Sequence, residues 1–185
     1  MVNVITVEQL DSKKAEEIAQ AVSDLSKTKG ASKQLSLVLD NTKGDYKLAI
    51  NLAKTIHASK VDVIVEARGD LDSSGCILVA LGKKGERRAS LDAVFTPFEV
   101  NTKSVRGERL TPKNQAVLST LSSLRANRRR LKSIAPKAEN LSAFEAKALD
   151  VVDRVDRFQS KYTNDYPLAG KSVRTKSSKR KSSKR

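Results

Sequence analysis

The chain has 185 residues, 38% of them apolar and 31% charged, with a formal net charge of +15; that is the profile of one globular domain with a full core and little room for a second. No apolar run approaches the roughly 20 residues that span a bilayer, and the opening MVNVITVEQLDSKK lacks the basic-then-apolar order of a secretory signal, so a cytoplasmic protein is expected. A single cysteine, Cys76, and a single histidine, His57, exclude an internal disulfide and leave no cluster of soft ligands, so neither a metal nor another cofactor is expected.

In chain order, VNVITVEQL alternates as a strand does. A helix follows: Asp11 or Ser12 caps it, Ala15, Ile18, Val22 and Leu25 recur at helical spacing, and Gly30 is placed to end it. QLSLVLD returns to strand, with Leu35, Leu37 and Leu39 on one face and Val38 on the other. After a predicted turn at DNTKGD, the segment YKLAINLAKTIHASK reads as a well-buried helix with Asn51, Lys54 and Thr55 as its wet edge. VDVIVEA is the next strand, SGCILVALGKK an apolar core helix starting near Ser74, and LDAVFTPFEV extended again. This order predicts an α/β domain of repeated β-α-β units. Thr111 and Pro112 open a long predicted helix whose stripe Val117, Leu121, Leu124, Leu131, Ile134 runs to Pro136, with RANRRRLK held partly outside the core as a basic face or oligomer contact. Ser142 and Glu145 form a capping box, and DVVDRV is a last short strand.

The folded domain is expected over residues 1–165, and residues 166–185 form a basic tail. Its last fifteen residues carry eight cations and no acid: Lys171, Arg174, Lys176, Lys179, Arg180, Lys181, Lys184 and Arg185. Removing those eight charges from the total leaves about +7 for everything before them. The pentamer KSSKR occurs twice, and a tail this poor in apolar residues is expected to be disordered when alone. Such a tail attracts nucleic acid or acidic protein faces with an affinity that falls steeply with salt.

Two strand-to-helix turns fall where α/β folds place their chemistry, DNTKGDYK and LDSSGC. A serine at a helix start is far more often a cap than a nucleophile. From Leu37 to Val100, however, order and spacing resemble the proteolytic subunit of the Clp protease, within the Clp peptidase and crotonase fold group. LVLDNTKGDYKLAINLAKTI fills the frame of that family's strand and N-S-P-G-G-S turn, and DSSGCILVALGKKGER that of A-S-M-G, an apolar helix and G-T-K-G-K-R. The resemblance implies Ser73 in the nucleophile's place and the backbone N–H groups of Gly44 and Ser74 as the oxyanion hole. It also matches Thr111 to Ile134 with the long helix that stacks rings, and LSAFEAKALDVVDRV with the family's closing S-A-E-E-A segment.

The departures bear on activity. Phe98 stands in the place of the family's catalytic histidine, only Glu139 remains near the place of its acid, and Lys43 replaces the first glycine of the oxyanion turn. His57, near the end of a different helix on the side of Ile50 and Ala53, reads as structural, and Lys43 on the oxyanion turn is badly placed for a Ser–Lys pair. A serine without a positioned base is a poor nucleophile. The expectation is therefore a Clp-peptidase-like subunit that has lost its hydrolytic activity, forming homo- or hetero-oligomers with Clp-like subunits, with no membrane partner. One alternative is an active Clp-type peptidase, or a phage head-maturation relative associated with the virion, using Ser73. A second is a crotonase-like acyl-CoA enzyme, because DAVFTPFEV resembles the A-x-F-x-x-P-E segment of that group. RRAS at Arg87 to Ser90 also resembles a substrate of basic-directed kinases, a motif short enough to arise by chance.

Overall fold

The structure, a computed structural model, describes residues 3–28, 33–100 and 110–157. Its first half runs β1 (Asn3–Leu10), α1 (Ser12–Lys27), β2 (Gln34–Gly44), α2 (Tyr46–Ser59), β3 (Asp62–Arg68), β4 (Asp70–Leu71) and α3 (Ser73–Ala80). The second half runs β5 (Arg87–Ser90), β6 (Val94–Phe95), α4 (Pro112–Ser123), α5 (Arg128–Ile134), β7 (Leu141–Ser142), α6 (Ala143–Ala148) and β8 (Arg154–Asp156). Five strands form a parallel sheet in the order β1-β2-β3-β5-β8. A small second sheet, β4-β6-β7, pairs β4 with β6 in parallel and β6 with β7 antiparallel.

Local chemistry sets most of these boundaries. Asp11 caps α1 by accepting from Lys14 N, and the expected stripe Ala15, Ile18, Val22, Leu25 is the buried face of that helix. α1 ends at Lys27; Gly30 lies outside the described residues. Leu35, Leu37 and Leu39 are fully buried on β2, while Val38 on the opposite face is half-buried. On α2 the exposed positions include Asn51, Lys54 and Thr55, as the pattern predicts. Ser142 and Glu145 form the capping box of α6, and hydrogen bonds from the Ser142 N–H and Oγ hold the Glu145 carboxyl below its usual range. α3 is apolar all round because it is enclosed all round: each of its eight residues is buried.

Two local expectations change, and one segment given no assignment from sequence proves to be a strand. DNTKG is no turn but the continuation of β2, because Lys43 and Gly44 pair with Gln9 and Leu10 of β1 beyond an irregularity in the register. The single long helix expected over 111–134 is two helices. Arg125 turns left-handed at φ 74°, Ala126 is buried, the Asn127 N–H donates to Leu149 O at 2.8 Å, and the Asn127 side chain caps α5. These contacts draw the chain toward the end of α6, and the apolar stripe stays largely buried despite the break. RRAS, finally, is β5: Ser90 is fully buried and presents no surface to a kinase.

Arg87 of β5 is tolerated inside the sheet because Asp153 neutralises it. Arg87, 4% exposed, donates Nε and Nη2 to the two Asp153 oxygens at 2.8 and 2.7 Å and Nη1 to Asp150 O. The Gly85 and Arg87 N–H groups also donate to Asp153 Oδ2. Burial raises the Asp153 pKa, but the bonds from Arg87 and from the two N–H groups outweigh it and hold the carboxyl below its usual range. This clamp fixes β8 at the sheet edge. The domain boundary near residue 165 and the eight tail cations fall outside the described residues. Among the described residues no helix is long and apolar enough to cross a membrane, and no three acidic, histidine or cysteine residues group to hold a metal.

Candidate functional site

Strand β2 and helix α3 meet at the turn that carries both serines. The Asp72 N–H donates to Thr42 O at 3.2 Å, which hangs the start of α3 on the end of β2. Asp72 is the N-cap of α3. Its Oδ1 accepts from the N–H groups of Ser74 and Gly75, at 2.8 and 3.1 Å, and from Ser74 Oγ at 2.6 Å. Its Oδ2 accepts from the Gly44 N–H at 2.9 Å, across from β2. One carboxylate thus takes three backbone donors and a hydroxyl, and bonds to an ionised acceptor are the strong kind.

The two amides that the sequence resemblance marks as an oxyanion hole, those of Gly44 and Ser74, do converge, and Asp72 occupies the space between them. Gly44 is required there: a Cβ at this position would lie 2.4 Å from Leu10 O. Sequence reasoning missed Asp72. The signal was an acid immediately before Ser-Ser-Gly at a helix start, a strong capping pattern.

Ser73 is the first residue of α3, one position earlier than predicted, and is buried at 2% exposure. No side chain among the described residues hydrogen-bonds its hydroxyl, whereas the Ser74 hydroxyl is given to Asp72. None of the residues weighed as a base or acid hydrogen-bonds Ser73 among the described residues. Phe98 is a core residue; beside it Asn114, itself buried, accepts from the Glu99 N–H and donates to Glu99 O, fixing this segment to α4. His57 is exposed on the last turn of α2 and lines a depression with Ala80 and Leu81, at the end of α3 remote from Ser73. Seven residues of helical rise put about 10 Å between those two ends. Lys43 is exposed on β2, and Glu139 is exposed and paired with Lys137. Cys76 is no substitute nucleophile. Burial, and then the nearby Asp72 charge, push its thiol pKa far up, and the thiolate is the reactive form.

A parallel sheet leading into an enclosed helix, with two amides converging at the helix start, is the architecture of the Clp peptidase fold. Among solved structures, the ClpP protease catalytic domain from Plasmodium falciparum aligns with a TM-score of 0.67 and 16% identity, over 84% of this chain and 86% of that one. A peptidase from Plasmodium falciparum aligns with a TM-score of 0.66 and 17% identity, over 83% of this chain and 94% of that one. No family model and no curated protein matches the sequence. At this identity the likeness carries the fold alone.

Proposed function

We propose that this chain is a subunit of the Clp peptidase fold without peptidase activity, working in assembly with other subunits of the same fold and carrying a cationic tail that engages nucleic acid. The observation that carries the first half is the Asp72 carboxylate between the Gly44 and Ser74 amides. A tetrahedral oxyanion would have to form where a negative charge already sits. Two unit charges about 3 Å apart repel by about 5 kcal/mol at an effective dielectric constant of 20. Catalysis by an oxyanion hole depends on donors left open for the charge that develops in the transition state. Phe98 adds to this, since a phenyl ring accepts no proton from Ser73.

The fold supports assembly with like subunits, and Phe144 on α6, 62% exposed, offers such an association an apolar contact. The tail reading rests on its eight cations and absence of acid, and with only 4% aromatic residues in the chain its contacts are to phosphates rather than stacked bases. The test is labelling of the intact protein with a fluorophosphonate. No adduct at Ser73 is expected, and a Ser73 adduct lost in Ser73→Ala would refute the inactive reading. Sedimentation with and without an active homologue tests the assembly, where a monomer under both conditions counts against it.

A further inference from the structure

From Arg109 to Ala138 the sequence contains no aspartate or glutamate but eight lysines and arginines. Within that stretch the structure forms α4 (Pro112–Ser123) and α5 (Arg128–Ile134). Arg128, Arg129, Arg130 and Lys132 are all exposed, and among the described residues none of them forms an ion pair with a carboxylate. Three of the four occupy the first turn of α5, where cations oppose the helix dipole. Arg130 serves α6 instead, donating Nη1 to Ala148 O at 3.2 Å at the end of that helix; Arg128 and Lys132, which line the groove between α4 and α5, are the cations open to an external anion.

Between the two helices runs a groove of about 470 Å³, lined by Leu110, Gln115, Leu118, Ser119, Arg128 and Lys132. The volume is in the range of small-molecule sites. Its chemistry is divided. Leu110 and Leu118 give an apolar floor, Arg128 and Lys132 stand one helical turn apart on the α5 rim, and Gln115 and Ser119 stand one turn apart on the α4 rim. A phosphate fits the α5 rim, where arginine offers a planar fork of donors. A base or sugar fits the leucines, and the Gln115 amide and Ser119 hydroxyl are donors and acceptors suited to a base edge. An acidic peptide would use the cations but not this combination.

We propose that the α4–α5 groove is a nucleotide-binding site on the folded domain. In it Arg128 and Lys132 hold a phosphate of a single nucleic-acid strand, and Leu110 and Leu118 receive the adjoining base or sugar. The inference rests on the nucleic-acid part of the proposed function, and it extends nucleic-acid recognition from the tail alone to a built surface.

The experiment uses the full chain with the eight tail cations changed to Gln, alongside the unaltered full chain. The probe is a fluorescein-labelled oligothymidylate of about 20 nucleotides, long enough for several contacts, titrated from low to physiological salt. In the tail-neutral background, Arg128→Gln with Lys132→Gln is expected to make the slope of log affinity against log salt shallower by about 1.4, two contacts at 0.7 each. Ser119→Tyr, which fills the groove without changing charge, is expected to weaken binding at least tenfold with the slope unchanged. The charge-matched pair Lys13→Gln with Lys27→Gln on α1 should leave both nearly as they were. All of these positions except buried Leu118 and half-buried Leu110 are exposed, so the variants should share one melting temperature within about 2 °C. A groove pair indistinguishable from the α1 pair, or an unaffected Ser119→Tyr, overturns the groove while the tail reading stands. If the tail-neutral chain does not bind and the unaltered chain does, the tail alone is responsible. If neither binds at low salt, the nucleic-acid reading falls with it. Equal competition by polyglutamate would assign the groove to an acidic peptide instead.

Discussion

Replacing Asp72 by Ala tests the turn at its centre. The substitution removes the α3 cap, which in other helices costs about 0.5 to 2 kcal/mol. It also leaves the Gly44 N–H without the acceptor that reaches it from α3, and an unsatisfied part-buried donor costs about 1 to 3 kcal/mol. Asp72 is half-buried, and water replaces some of what is lost, so about 2 to 4 kcal/mol is the expected sum. For a domain of this size that is a fall in melting temperature of roughly 5 to 15 °C. The sequence holds no tryptophan, so the assay is urea and thermal unfolding followed by far-ultraviolet circular dichroism. A second reading makes the test specific. With the side chain gone, three backbone amides face an empty place shaped for a carboxylate, and formate is expected to refill it. At about five times its dissociation constant, formate stabilises the variant by about 1 kcal/mol and leaves the parent unchanged. An Asp72→Ala protein as stable as the parent, or formate acting equally on both, would refute the argument that this carboxylate occupies the amide pair.

The remaining predictions concern the frame around that turn. Asp153 is held below its usual range in the folded state, so the unfolded chain takes up its proton first as pH falls. The stability that the Arg87–Asp153 clamp contributes is therefore complete above the ordinary aspartate pKa of about 3.9 and is lost as pH drops through the lower folded value. Asp153→Asn should flatten that acid limb in a pH series of urea midpoints, and an unchanged limb would contradict the clamp. Cys76 should resist a neutral thiol reagent in the native protein and react at once in denaturant; prompt native labelling would contradict its burial. Gly44→Ala should destabilise by about 2 kcal/mol or more, because the new methyl meets backbone, and a neutral result in urea unfolding would count against the close approach of β2 to β1.

What the sequence discloses divides by the range of the interactions involved. The leucines of β2 and the stripe of α1 declare themselves because each burial pattern repeats within one element. The cap of α4 and the capping box of α6 are equally local. β5 escaped because RRAS carries no apolar alternation, and the acid that permits Arg87 inside the sheet lies 66 residues further along the chain. The break after α4 escaped for a related reason: the bond that fixes it joins Asn127 to Leu149. At the site, two separate segments are marked by their sequence, and the family resemblance joins Gly44 of one to Ser73 and Ser74 of the other. The role of Asp72 stayed hidden because its second oxygen is bonded 28 residues away, on β2.

The enclosure of α3 governs how likeness in this segment should be weighed. With all eight residues surrounded, a substitution scan should find a continuous block of intolerant positions from Ser73 to Ala80, whether or not any bond is ever hydrolysed nearby. Steric confinement alone is enough to preserve the spelling of such a helix. Kinship read from it therefore reports a lodging that must be filled, and evidence of turnover has to come from residues whose identity the packing leaves free.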